Sequence, residues 1–234
     1  MTTRQLAEWG ISRQLAHRYI QNGWLELLGY GYYLRTGDIL TDKGAVAALE
    51  ANGVRVHIGG KSALALKGFA HYLSLGGEKI YLYGKGVRSL PAWFTEKFDP
   101  VLTTGQLFAE GDSLQERLCV GPLEENDPHS PVVSEPERAV LELLDLVPKQ
   151  QTLAEARQII EGLYSLRSKK MQHLLERCKK VKVKRLFWVL AGELKLPVLE
   201  RIDTSAIDFG AAANYILAGE KTLALKNPVR STDG

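Results

Sequence analysis

The chain has 234 residues, with 30 Lys and Arg against 27 Asp and Glu, 45% hydrophobic and 24% charged side chains. That globular composition excludes disordered, collagenous and coiled-coil proteins and leaves room for one large domain or two smaller ones. No apolar run nears the roughly 20 residues that cross a bilayer and no charged-then-apolar leader opens the sequence, so the expectation is a soluble, cytoplasmic protein with no membrane partner.

In chain order, Thr2 and Thr3 are placed to cap a helix reaching about Trp9, which Gly10 ends, and Ser12 to cap a second helix that Gly23 closes. In that second helix Ile11, Leu15, Tyr19 and Ile20, with Ala16 between them, form an apolar stripe that needs a core to face. On the other side Gln14, His17, Arg18 and Gln21 fall at i, i+3, i+4 and i+7, a row of long hydrogen-bonding side chains without a carboxylate. Such a row suits a groove of DNA, although on an isolated helix it would simply meet water. A strand over 24–28, the turn Gly29-Tyr30-Gly31 and a strand over 32–35 follow. Helix, turn, helix and hairpin in this order predict a winged helix-turn-helix over residues 1–38.

Residues 39–234 are read as a mixed α/β domain with a helical C-terminal half, which makes the whole chain α+β. The pattern predicts helices over 42–52 and 61–69, strands over 54–58, 79–83, 98–102 and 114–120, and an acidic, proline-rich surface excursion over 123–136. Helices are then expected over 135–146, 152–166, 168–180 and 182–194, the second of them opened by Thr152 and Glu155 at capping-box spacing, and a tail without clear period follows from Pro197.

Several chemistries are set aside by spacing. Cys119 and Cys178 have no CxxC or Cys/His partner pattern, so neither a disulfide framework nor a structural zinc site is expected and reduced thiols are. The five histidines include no i, i+4 pair, and no GxSxG elbow or Asp-x-Asp pair is present, so no catalytic residue, metal or cofactor is assigned. Gly59-Gly60-Lys61-Ser62 after a strand suggests a phosphate-cradling loop, but GxxxxGK[ST] would need a glycine where Arg55 stands.

Charge is unevenly spread. Between Arg167 and Arg185 stand nine basic residues and one acid, Glu176, which leaves the rest of the chain net acidic. A cluster of one sign attracts phosphate backbones or an acidic protein, and like charges at i, i+3 and i+4 oppose helix formation unless something is gained in return.

The motifs resemble a known family. Thr2-Thr3-Arg4-Gln5-Leu6-Ala7, Gly10-Ile11-Ser12-Arg13-Gln14-Leu15, Tyr19, Gly23-Trp24-Leu25, Gly29-Tyr30-Gly31 and Tyr32-Tyr33-Leu34-Arg35 are similar to the winged-helix domain of the AbiEi antitoxins of type IV toxin–antitoxin systems. Val56-His57-Ile58-Gly59-Gly60-Lys61-Ser62 through Leu66, with Gly68, His71 and Tyr72, resembles a second signature of that family, and Arg185-Leu186-Phe187 through Leu194, Arg201-Ile202-Asp203 and Ile207-Asp208-Phe209-Gly210 a third.

The resemblance implies a non-enzymatic bacterial antitoxin of abortive phage infection. Its N-terminal domain would bind inverted repeats in its own promoter and repress the operon, and its C-terminal domain would neutralise a cognate AbiEii-like nucleotidyltransferase toxin. A stand-alone winged-helix regulator sensing a small ligand is the alternative. A winged helix normally has a further helix ahead of the one that starts here at Thr2, so either the native start lies upstream or the helix over 42–52 supplies that core face. Residues 211–234 also lack the family's basic closing pattern.

The candidate DNA-binding residues are Thr3, Ser12, Arg13, Gln14, His17, Arg18, Gln21, Tyr32 and Arg35, with base readout expected from Arg13, Gln14, His17 and Arg18 and backbone or minor-groove contacts from Arg35 and the tyrosines of the wing. The candidate toxin- or phosphate-interacting face comprises Lys169, Lys170, Arg177, Lys179, Lys180, Lys182, Lys184 and Arg185.

Overall fold

The computed structural model describes residues 1–69, 79–111, 116–127, 129–217 and 223–229. They fall into two units, each assembled from three stretches of chain: Met1–Ile58, Ser74–Gly105 and Gly121–Val133 in the first, Gly59–Leu73, Gln106–Val120 and Ser134–Gly234 in the second.

The first unit opens with α1 (Thr3–Glu8), whose capping box joins the Thr2 hydroxyl to the Gln5 amide and the Gln5 side chain to the Thr2 amide, and α2 (Arg13–Gln21), capped by the Ser12 hydroxyl on the Leu15 amide. The strands β1 (Leu25–Gly29) and β2 (Tyr32–Arg35) form an antiparallel hairpin with an irregularity between Leu27 and Gly29. Residues 1–3 run along the other edge of β2, through hydrogen bonds from the Tyr33 amide to the Met1 carbonyl and from the Thr3 amide to the Gly31 carbonyl. A small core of Leu6, Ala16 and Leu25 is flanked by Met1, Ile11, Tyr19, Ile20 and Tyr33.

Next, α3 (Asp42–Ala51) buries Ala45, Val46 and Leu49 and packs on β3 (Val56–Ile58). Among the described residues, the cluster around Leu6, Ala16 and Leu25 includes no side chain of α3. A five-stranded sheet in the order β5-β4-β3-β7-β6 completes the unit, with β4 at Lys79–Gly84, β5 at Asp99–Thr103, β6 at Val120–Pro122 and β7 at Val132–Ser134. β3 runs antiparallel to β4 and parallel to β7, and β4 is parallel to β5 through the intervening helix α5 (Ala92–Lys97).

The second unit is helical. α4 (Gly60–Leu66) packs on α6 (Pro136–Asp145), and α6 in turn meets α7 (Leu153–Glu161), α8 (Ser168–Arg177) and α9 (Val181–Glu193). Eight consecutive residues of α6, Glu137 to Leu144, are buried, three of them charged, because the helix runs through the middle of the unit with neighbours on several sides. Two short 3-10 turns, Pro197–Arg201 and Thr204–Ala206, lead to an antiparallel hairpin of β8 (Asn214–Leu217) and β9 (Leu223–Lys226), which packs on α9. No helix among the described residues is long and apolar enough to cross a membrane.

Three sequence expectations change. Residues 123–136 are not wholly a surface excursion, since they contribute β7, with Val133 and Ser134 buried in the sheet. The expected strand over 114–120 is reduced to its last residue, which starts β6, and residues 114 and 115 lie outside the described residues. The helix α5 was not read from the sequence. His71 and Tyr72, part of the second family signature, also lie outside the described residues.

Candidate nucleic-acid interface

The polar row on α2 faces outward. Ala16 is buried and Leu15, Tyr19 and Ile20 half-buried, while Arg13, Gln14, His17, Arg18 and Gln21 are exposed. Helical periodicity alone produces this division, because the apolar stripe is consumed by Leu6 and Leu25. The Nε2 atoms of His17 and Gln21 approach to 3.2 Å along the row. The Ser12 hydroxyl accepts from the Leu15 amide, which fixes the start of the helix. Next to this start lies a cavity of about 400 Å³ lined among others by Arg4, Leu6, Ile11 and Tyr33.

In the wing, the Tyr30-Gly31 turn is made possible by Gly31 at φ +82°, a left-handed conformation that glycine adopts freely. Gly29 is required for a different reason, since a Cβ there would lie 2.7 Å from Trp93. Tyr32 does not extend the DNA face as expected: it is 4% exposed, with its ring 4.9 Å from that of Trp93. Thr3 is half-buried and its hydroxyl lies 3.5 Å from the Tyr33 hydroxyl, whereas Arg35 is exposed. Among the tyrosines of the wing, the side chain best placed for external contact is not the one singled out, Tyr32, but Tyr30, 93% exposed at the tip of the hairpin, with Trp24 and Leu27 also exposed. The signal was present in the sequence, because a residue between two glycines in a tight turn points away from both strands.

The basic window separates into outward and inward residues. Lys169, His173 and Arg177 are exposed at i, i+4 and i+8 along α8, and exposed Lys179 follows, its ammonium donating to the Gln106 side chain. Arg167 and Lys170 face acids of α6 and its N-cap: Arg167 bonds Glu137 and Glu135, and Lys170 bonds Glu135. Lys180 grips the Asp145 carboxylate at 2.6 and 2.7 Å, and Lys182 donates to the carbonyls of Asp145 and Val147 at 2.7 and 2.6 Å.

Lys184 and Arg185 correct the expectation of one continuous face, because both are buried. The Arg185 guanidinium donates to the carbonyls of Phe209, Ala212 and Leu225, tying these late segments to α9. Sequence spacing registers the charges of this window, but the acids and carbonyls that answer them lie up to 40 residues away.

At Gly59-Gly60-Lys61 an anion of the protein itself occupies the position a phosphate would take. The Gly60 amide donates to the Glu142 carboxylate at 3.0 Å, and Lys61 pairs with Glu155. Both cysteines are free thiols, and burial pushes each up to about 11, which makes them poor nucleophiles.

A helix-turn-helix with an exposed polar second helix, followed by a hairpin wing on an α+β body, defines a winged-helix regulator. The chain belongs to the AbiEi family: residues 1–75 match the model described as the transcriptional regulator AbiEi antitoxin N-terminal domain, and residues 77–224 that of the transcriptional regulator AbiEi antitoxin of type IV toxin–antitoxin systems. This is a family of antitoxins and transcriptional regulators, not of enzymes. No curated protein matches the chain. Among solved structures, the RV2827C protein from Mycobacterium tuberculosis shares the fold, with a TM-score of 0.56 at 13% identity, over 90% of this chain and 74% of that one.

Proposed function

We propose that this AbiEi protein is a cytoplasmic antitoxin that represses its own operon through residues 1–38 and neutralises a cognate nucleotidyltransferase toxin through residues 39–234. The observation that carries the DNA half of this reading is the exposed, carboxylate-free row of Arg13, Gln14, His17, Arg18 and Gln21 on α2. Arg13, Gln14, His17 and Arg18 read base edges in the major groove of inverted repeats, with the Ser12 end of the helix and Thr3 near the backbone. Arg35 and Tyr30 of the wing meet the adjacent backbone or minor groove. On the second unit the outward residues Lys169, Arg177 and Lys179 form the toxin-facing strip.

The test is fluorescence anisotropy with the promoter duplex, together with growth on co-expression of the adjacent reading frame. Replacing Arg13 and Arg18 by Ala should weaken operator binding at least tenfold, at about 1–3 kcal/mol per base contact, and leave growth rescue intact. Unchanged binding removes α2 from the interface. A neighbouring gene product that is not toxic removes the antitoxin role and leaves the regulator alone.

A further inference from the structure

We infer that the cavity at the start of α9 is a binding site for a nucleotide, with its phosphates on lysines and its base against β8. The cavity holds about 760 Å³ and lies between the end of α6 and the segment after it (Asp145, Lys149), the N-cap and first turn of α9 (Lys180, Lys182) and β8 (Tyr215, Ile216). Its volume falls in the range of small-molecule sites, roughly 300–1,000 Å³.

The two walls differ in chemistry. One carries three lysines, Lys149, Lys180 and Lys182, against a single carboxylate, Asp145, and is therefore net positive. Lys180 is fixed on that carboxylate and Lys182 on the carbonyls of Asp145 and Val147, so both cations are held in place before any ligand arrives. Burial lowers the Lys182 pKa and outweighs the pull of Asp145, with Lys180 and Lys149 adding to the fall. A cation in that setting gains more from an incoming anion than a lysine in open water does.

The other wall is apolar. Ile216 is 58% and Tyr215 37% exposed on β8, both bordering the cavity. Inorganic phosphate would have no use for that wall, and a neutral apolar ligand none for the lysines. A polyphosphate carried on an aromatic body matches both. This site shares no residue with the Gly59-Gly60-Lys61 turn, where Glu142 and Glu155 already answer the amide and the lysine.

The test is calorimetric titration of the full chain with ATP, GTP and pyrophosphate, using the wild type, Lys149→Glu, Tyr215→Ala and Arg88→Glu. Arg88 is exposed and lies in the first unit, so its variant makes the same charge change away from the cavity. Melting curves establish that each variant is folded. The expected result is that a nucleotide binds, that Lys149→Glu weakens it at least fivefold while Arg88→Glu stays within twofold, and that Tyr215→Ala weakens nucleotides without affecting pyrophosphate. Absence of binding at millimolar nucleotide, or equal losses in both charge reversals, overturns the site. Pyrophosphate binding as tightly as ATP, with Tyr215→Ala silent, overturns the nucleotide.

Discussion

Glu142 illustrates how a single carboxylate organises the second unit. It is 1% exposed, yet accepts from the Gly60 amide at 3.0 Å, the Ser134 hydroxyl at 2.8 Å and the Arg138 guanidinium at 2.7 Å. Arg138 also holds Glu110 and the Leu118 carbonyl. Removing one partner of such a network leaves the others charged and dry, so Glu142→Ala should destabilise by about 3–5 kcal/mol in urea unfolding. Glu137 is a second case. Burial acts to raise its pKa, but the Arg167 side chain and amide bond it strongly enough to leave it below the ordinary 4.5. A carboxylate depressed in the folded state stabilises the fold above its unfolded value, and that contribution disappears as pH falls through the folded value. Stability plotted against pH should therefore drop more steeply below pH 4.5 for the wild type than for Arg167→Met, and the variant should already be the weaker of the two at pH 7.

For the elements, Ser12 and Arg185 mark two different ways of holding a terminus. Ser12→Ala removes the cap of α2 and should cost about 1 kcal/mol, with a loss of operator affinity no larger than the helix fraying explains. Arg185→Met removes the donor that joins Phe209, Ala212 and Leu225 to α9. It should lower global stability by at least about 2 kcal/mol and selectively expose the amides of 214–217 and 223–226 to hydrogen exchange. Such differences explain what could be read in advance. The capped helices α1, α2, α3 and α7 begin where Thr2, Ser12, Thr41 and Thr152 stand, since a hydroxyl at an N-cap is a local signal. β7 escaped because its Val-Val-Ser shows no apolar–polar alternation, and α5 because no side chain caps its start at Pro91. In the helix-turn-helix the outward row of α2 followed from periodicity. Tyr32 was misassigned because the aromatic partner that draws it inward, Trp93, lies 61 residues further on.

Across the whole molecule, the outward basic strip and α2 belong to different units. Replacing Lys169, Arg177 and Lys179 together by Ala should leave the log–log salt slope of operator binding unchanged while abolishing growth rescue. A slope shallower by about 0.9 for each phosphate no longer neutralised would instead move the strip to the DNA. The way the chain is threaded also decides which genetic experiments can be interpreted. It leaves and re-enters the first unit twice, so β3, β4 and β7 reach one sheet from three separated stretches. A stop codon after residue 58 or 75 would strip the neighbours from β3 and bare the edges of a strand whose Val56 and Ile58 are wholly interior. Such a fragment would tend to precipitate. A deletion mutant that no longer silences its promoter would thus report collapse of the scaffold, and the two proposed roles can be assigned only by surface substitutions in the intact polypeptide.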